Sequence, residues 1–171
     1  AGDAIILFKY DILGDLFPKK AIAINLSVNL KYHSLTPMHE LFHLFQNGYT
    51  MFKNSWYEEG MARWAEWILR QSHPRQTALP QNIDELEILV KKSYGAYSFW
   101  ARAGMLCGNH NGQFKVMHAN NSYVDGESII EDNKIFGINF IKKVLEILET
   151  KDKKVSYIRG YSKYNWKEND Q

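Results

Sequence analysis

The sequence contains a single cysteine, Cys107, among its 171 residues, and this scarcity excludes a disulfide within the chain. It also has no apolar run approaching the roughly 18 residues that a membrane-spanning helix needs, so we predict no membrane span. The missing disulfide leaves the compartment open, because many secreted and periplasmic proteins also lack one. A periplasmic or secreted location is favoured here over a cytoplasmic one.

The sequence also lacks a large excess of positive or of negative charge. Lys and Arg number 21 against 19 Asp and Glu, which gives a net charge of +2, and the two signs are interspersed along most of the chain. Nucleic-acid binding normally requires a basic patch or stripe, so we predict no nucleic-acid partner. With 45% hydrophobic residues, the composition is that of an ordinary globular protein. We predict one domain over residues 1–171, long enough for a core of its own.

Two early segments have the pattern of β-strands. Residues 5–8 form a short apolar run, and apolar residues alternate with small or polar ones over residues 22–30. Alternation with a period of two is typical of a strand with one buried and one exposed face. Helical periodicity follows at about residues 36–48, 56–71, 84–92, 94–107 and 136–150. The predicted fold class is therefore α+β, with a small N-terminal sheet packed on a mainly helical lobe.

The first helical segment contains an H-E-x-x-H motif at residues 39–43. Because side chains four residues apart lie on the same face of a helix, His39 and His43 can converge on one metal ion. Glu40 lies on the far flank of the histidine pair, within reach of a metal-bound water. An apolar stripe with helical spacing runs beside the histidines and is expected to face the core; its members are Met38, Leu41, Phe42 and Phe45.

The ends of this helix also carry signals. We predict Thr36 as the N-cap, Pro37 at the first helical position, and a helix end at Asn47 and Gly48, which both tolerate the left-handed conformation. The alternative for the motif is a surface helix that carries the same letters by chance.

Two histidines and one carboxylate are the ligand set of many catalytic zinc sites, in which the bound water reaches a pKa of about 7. With His39 and His43 as ligands, Glu40 would accept the proton of that water as a general base. The third ligand that we predict is Glu59, because a short loop returns the next helix to the first and Glu59 lies in its first turn.

An alternative for Glu59 is equally supported by the spacing. Glu59 with Arg63, and Glu66 with Arg70, are oppositely charged pairs four residues apart, which is the usual pattern of a solvated helix with salt bridges.

Together the motif at residues 39–43 and the segment Trp56-x-x-Glu59-Gly60-x-Ala62 resemble the gluzincins, the thermolysin-like clan of zinc peptidases. The second segment is most similar to the glutamate helix of the aminopeptidase and bacterial collagenase branches. The resemblance covers about residues 20–107 and implies that Glu59, the residue before the glycine, is the third zinc ligand. It implies a zincin-like metallopeptidase domain that acts on a peptide or protein substrate, either complete or as the catalytic piece of a longer protein.

Residues 93–100 are similar to the helix that follows the glutamate helix in these enzymes. The resemblance implies a tyrosine whose hydroxyl stabilises the oxyanion of the reaction, with Tyr94 as the first candidate and Tyr97 as the second. The alternative is that these aromatic residues only fill the core.

The chain departs from the gluzincin pattern at two points. It has no G-x-M-E-N segment, which anchors the free amine in aminopeptidases, so an endopeptidase is the better expectation. Arg63 stands where the thermolysin branch has an acid that orients a ligand histidine, so that partner must come from elsewhere. Two rival functions are a catalytically silent binding or assembly module with the same fold and a protein with a structural zinc site. The second would normally need four protein ligands, rich in cysteine.

Overall fold

The computed structural model describes residues 2–9, 19–26, 33–50, 54–70, 79–107, 112–113, 125–127 and 134–159. Its helices are α1 (Thr36–Tyr49), α2 (Ser55–Arg70), α3 (Ile83–Val90), α4 (Tyr97–Cys107) and α5 (Ile138–Arg159), with a 3₁₀ turn (Tyr94–Ala96) before α4. Strands β1 (Gly2–Lys9) and β2 (Lys19–Leu26) pair antiparallel, with Gly2 opposite Leu26. The short strands β3 (Gly112–Gln113) and β4 (Lys134–Ile135) form a second antiparallel pair.

The predicted α+β class is wrong. Most of the described residues are helical, and the strands among them form only two separate pairs instead of a sheet layer. A two-stranded hairpin is marginally stable by itself, so the N-terminal pair depends on packing against α1. The alternation over residues 22–30 predicted a strand with one buried face, but it does not specify how many strands the sheet contains. Strand β2 ends at Leu26, and residues 27–30 lie outside the described part of the chain.

Helix α2 is at the centre of the described core. It packs against α1, α3, α4 and the 3₁₀ turn, while α5 covers α1 and α4. The helix predicted at about residues 56–71 is confirmed, and apolar residues at helical spacing on one face of it are buried: Met61, Trp64, Ala65, Ile68 and Leu69. The core is therefore built by helix on helix packing. No helix in the described ranges combines the length and apolar composition needed to span a bilayer.

The face that α1 turns inward differs from the prediction. Its buried residues are His39, Glu40, Phe42, His43 and Gln46. Leu41 and Phe45, which were predicted to face the core, are 53% and 47% exposed. The stripe prediction assumed that apolar residues determine the buried face. Polar groups can be buried instead when they bond to one another, and the residues of this face do so with α2.

The predicted ends of α1 are also wrong by one or two residues. Leu35 is the N-cap, without a side-chain bond to the helix, and the Ser34 hydroxyl accepts a hydrogen bond from the Thr36 amide at 3.3 Å. The helix continues through Gly48 and ends at Tyr49, because Thr50 is extended and its N–H donates to the Gln46 carbonyl. Gly48 lies inside the helix and needs no left-handed conformation, so it does not act as the helix-ending glycine that the sequence predicted.

Gly60 lets the 3₁₀ turn approach α2 one residue after Glu59. A Cβ atom at Gly60 would lie 2.8 Å from the Ala96 Cβ and 2.9 Å from the Trp100 Nε1. The same Trp100 nitrogen donates a hydrogen bond to the Trp56 carbonyl at 2.9 Å, which ties α4 to the start of α2. Only glycine leaves room for this contact. As a consequence Tyr94, at the start of the 3₁₀ turn, lies beside the Glu59 turn of α2.

Candidate metal centre

Two ligand candidates come from α1 and the third from the first turn of α2. His39 and His43 lie one helical turn apart, with ring centroids 4.6 Å from each other. The Glu59 carboxylate lies across from both rings, 3.0 Å from the His39 Nε2 and 3.7 Å from the His43 Nε2. One ligand atom from each residue lies within 4.8 Å of the others. The structure therefore brings together three residues that could hold a metal ion.

The other nitrogen of each imidazole bonds to an acceptor. The His39 Nδ1 lies 2.8 Å from the Glu66 Oε1, and the His43 Nδ1 lies 3.0 Å from the Gln46 Oε1. Because both oxygens accept, each Nδ1 carries the hydrogen, and each neutral ring has its lone pair on Nε2. Both Nε2 atoms face the Glu59 carboxylate, and a proton on the His39 Nε2 makes the 3.0 Å hydrogen bond to it. With both rings neutral, the two lone pairs and the carboxylate could instead hold a metal cation. Nitrogen and carboxylate donors are common ligands of divalent metal ions.

The charges around His39 favour a cation at the same point. Burial lowers the pKa of His39, but hydrogen bonds and negative charge from Glu59 and Glu66 outweigh it and raise the pKa to about 9. Burial raises the pKa of Glu59, and the His39 hydrogen bond together with the positive charge of the two rings lowers it below its usual range. Both shifts show that positive charge is stabilised between His39 and Glu59.

Tyr94 lies at the edge of this centre. Its ring centroid is 5.6 Å from that of His39, and its hydroxyl hydrogen-bonds to Glu59. Burial, and then the charges of Glu59, Glu40 and Glu66, raise the pKa of Tyr94, so its hydroxyl stays protonated and can donate. Tyr97, the second candidate, packs against the hydrophobic core. The structure brings only Tyr94 of these two residues into contact with the ligand group.

Glu40 lies on the same inward face of α1 as the histidines and is 5% exposed. Its negative charge is one of the causes that raise the pKa of Tyr94, after burial and the contributions of Glu59. Glu40 does not belong to the three-residue group that could hold a metal. Glu40 is thus a buried carboxylate on the helix face that carries the two histidines, and its role as a general base stays a prediction.

The salt-bridge alternative for Glu59 is wrong. Arg63 pairs with Glu66, three residues along, with 2.7 Å between the Arg63 Nη1 and the Glu66 Oε2. Glu59 pairs with His39 instead. The side chain of Arg70, the other predicted partner in this pattern, lies outside the described residues.

Sequence reasoning missed Glu66 and Gln46 as members of the centre. The sequence predicted that an acid elsewhere than at position 63 orients a ligand histidine. Glu66 is that acid, because its carboxylate accepts a hydrogen bond from the His39 Nδ1 and orients the ring. The available signal was its position seven residues after Glu59, two turns along one face of α2. Gln46 follows His43 by three residues, a spacing that also places both side chains on one face.

Comparison with known protein families, curated proteins and solved structures found no match to this chain. The assignment of the metal centre therefore rests on its geometry.

Glu66→Gln tests the orienting role of Glu66. The amide keeps one acceptor oxygen but removes the charge that strengthens the hydrogen bond from His39, so we expect zinc affinity to fall about 10–100-fold. Competition with a fluorescent zinc chelator measures the affinity. Glu87→Gln is the matched control, since it makes the same change on α3, where Glu87 contacts Lys91 at 4.0 Å. Equal affinities in the two variants would show that Glu66 does not orient a ligand.

Proposed function

We propose that the chain is a zinc-dependent metallopeptidase of the gluzincin type, and an endopeptidase rather than an aminopeptidase. The proposal rests on one observation: the Nε2 atoms of two buried histidines lie 3.0 and 3.7 Å from the Glu59 carboxylate, to which the Tyr94 hydroxyl is hydrogen-bonded, and Glu40 is buried on the same face of α1. A metal centre with a general base and a hydrogen-bond donor at its edge contains the parts that metal-assisted peptide hydrolysis requires.

The number of ligands supports a catalytic site over a structural one. Structural zinc sites are usually closed by four protein ligands and favour cysteine, whereas catalytic sites keep a position open. The described residues offer three ligands, His39, His43 and Glu59. Cys107 is exposed and lies at the end of α4, so it does not belong to the group.

When bound, zinc would polarise the scissile carbonyl and lower the pKa of a water ligand to about 7. Glu40 accepts the proton of the attacking water and passes it to the leaving amine. Tyr94 releases Glu59 and donates its hydroxyl hydrogen to the oxygen of the scissile carbonyl, where negative charge develops. Glu66 and Gln46 hold the two imidazoles in place throughout.

Metal content and proteolysis together test this function. We expect the purified chain to contain zinc in equimolar amount and to cleave an unstructured protein such as casein. A chelator should stop the cleavage, and added zinc should restore it. Elemental analysis and gel electrophoresis of the casein fragments give the two readouts.

Each contrary outcome overturns a different part. Zinc without cleavage would overturn the peptidase proposal in favour of a binding or assembly module. Absence of zinc after purification with added zinc would overturn the metal centre itself.

A further inference from the structure

We propose that Gln46 is a positioning residue of the metal centre, which sets the tautomer of His43 and fixes the turn of α2 that carries Glu59. This inference rests on the proposed function only in treating His43 and Glu59 as metal ligands. Its structural part concerns three hydrogen bonds of one side chain, which is 2% exposed.

The orientation of the Gln46 amide follows from its partners in α2. Its Nε2 lies 3.4 Å from the Tyr57 carbonyl oxygen and 3.2 Å from the Glu58 carbonyl oxygen. A carbonyl oxygen can only accept, so the NH2 group of the amide must point at α2. The opposite orientation would set the amide oxygen against two carbonyl oxygens in a buried place. The amide oxygen therefore faces the His43 Nδ1, at 3.0 Å.

This orientation determines the tautomer of His43. An amide oxygen offers no hydrogen, so the His43 Nδ1 must donate one. The neutral ring then has its lone pair on Nε2, the atom that faces the Glu59 Oε1 at 3.7 Å. In the other tautomer Nε2 would carry a hydrogen and could not bind a metal ion. Two backbone carbonyls of α2 thus fix the orientation of the Gln46 amide, and this orientation leaves the His43 Nε2 free of hydrogen and able to bind a metal ion.

The same amide links the two helices at the ligands. Tyr57 and Glu58 are the two residues before Glu59, so the Gln46 NH2 group holds the turn from which Glu59 projects. The opposite end of the side chain holds His43. One planar group therefore spans from a ligand on α1 to the backbone beside a ligand on α2, and limits how far the two ligands can separate.

Burial of the polar Gln46 side chain in the core costs desolvation free energy, which its hydrogen bonds offset. A buried amide without partners is strongly unfavourable, and leucine or methionine would fill a similar volume. The amide oxygen and the NH2 group of Gln46 are both bonded. Since neither bond could be made by an apolar side chain, the residue serves the centre rather than the packing.

Gln46→Leu and Gln46→Glu test the inference, with Asn47→Leu as the matched control one residue along α1. Histidine ¹⁵N shifts of the metal-free protein report the His43 tautomer, and chelator competition reports zinc affinity. We expect Gln46→Leu to give a mixture of tautomers and an affinity about 10–100-fold lower. Gln46→Glu should keep the Nδ1–H tautomer, because a carboxylate accepts, but should still lose affinity through repulsion from the two carbonyls of α2.

If His43 in Gln46→Leu keeps the tautomer of the unchanged chain, and the variant keeps the same zinc affinity, the inference is overturned. If Gln46→Leu does not fold, Gln46→Glu decides instead, since affinity equal to that of Asn47→Leu would show that the bonds to α2 have no role. Failure of the proposed function is distinguishable from both results. If the metal centre fails, the wild-type chain binds no zinc, and if only the peptidase activity fails, it binds zinc without cleaving casein. The tautomer measurement needs neither metal nor activity and would still test the placement of His43.

Discussion

Glu40→Gln is expected to bind zinc as tightly as the unchanged chain and to lose nearly all peptide hydrolysis. Glutamine has the size and shape of glutamate but cannot take a proton from water. General bases typically contribute about 10²–10⁴-fold to the rate, so kcat should fall by about that factor. Zinc affinity should stay unchanged because Glu40 is not one of the three residues that could hold the metal.

The experiment compares kcat, KM and zinc affinity of Glu40→Gln with those of Glu87→Gln, the same change on the exposed surface of α3. A fluorogenic peptide derived from a casein cleavage site gives the kinetic values. Full activity in Glu40→Gln would remove the proposed mechanism. Loss of zinc together with activity would instead make the buried Glu40 a structural support of the centre.

Local helix geometry explains why the ligand candidates could be predicted from the sequence. The spacing of His39 and His43 places both rings on one face of α1 in any helix. The loop before α2 is short, so Glu59 had to return near them. These two constraints act over a few residues and do not depend on the rest of the fold.

The partners of the ligands depend on packing between helices and could not be found in this way. Glu66 contacts His39 because α2 crosses α1 at one particular rotation, and the sequence equally allowed it to face solvent. The same rotation leaves Leu41 and Phe45 exposed, contrary to the apolar stripe prediction. A hydrophobic stripe cannot report that a polar face is satisfied by hydrogen bonds with the neighbouring helix.

The predicted sheet failed for a related reason. Alternation describes one strand and the faces on either side of it, whereas strand number and the layer that covers a strand are set by distant parts of the chain. In the described residues the N-terminal strands pair only with each other and have α1 as a neighbour. The fully buried core residues in the described part of the chain belong to the helices and the 3₁₀ turn.

Glu59→Ala is expected to weaken zinc binding more than any change outside the ligand group. Loss of an outer partner of a ligand lowers metal affinity about 10–100-fold, and removal of a ligand should exceed that range. Glu59 contributes the negative charge of the group, and its pKa is held below the usual range by the two histidines, so it is ionised and ready to bind a cation at neutral pH.

Glu58→Ala is the control that makes this result specific, because it removes the adjacent carboxylate from the same turn of α2. Glu58 contributes to the centre through its backbone carbonyl, which accepts from Gln46 and is retained in alanine. We therefore expect Glu58→Ala to keep wild-type zinc affinity in the chelator competition, while Glu59→Ala loses it. Equal affinities would mean that the two histidines hold the ion without Glu59, and a site with only two protein ligands would not support the gluzincin mechanism.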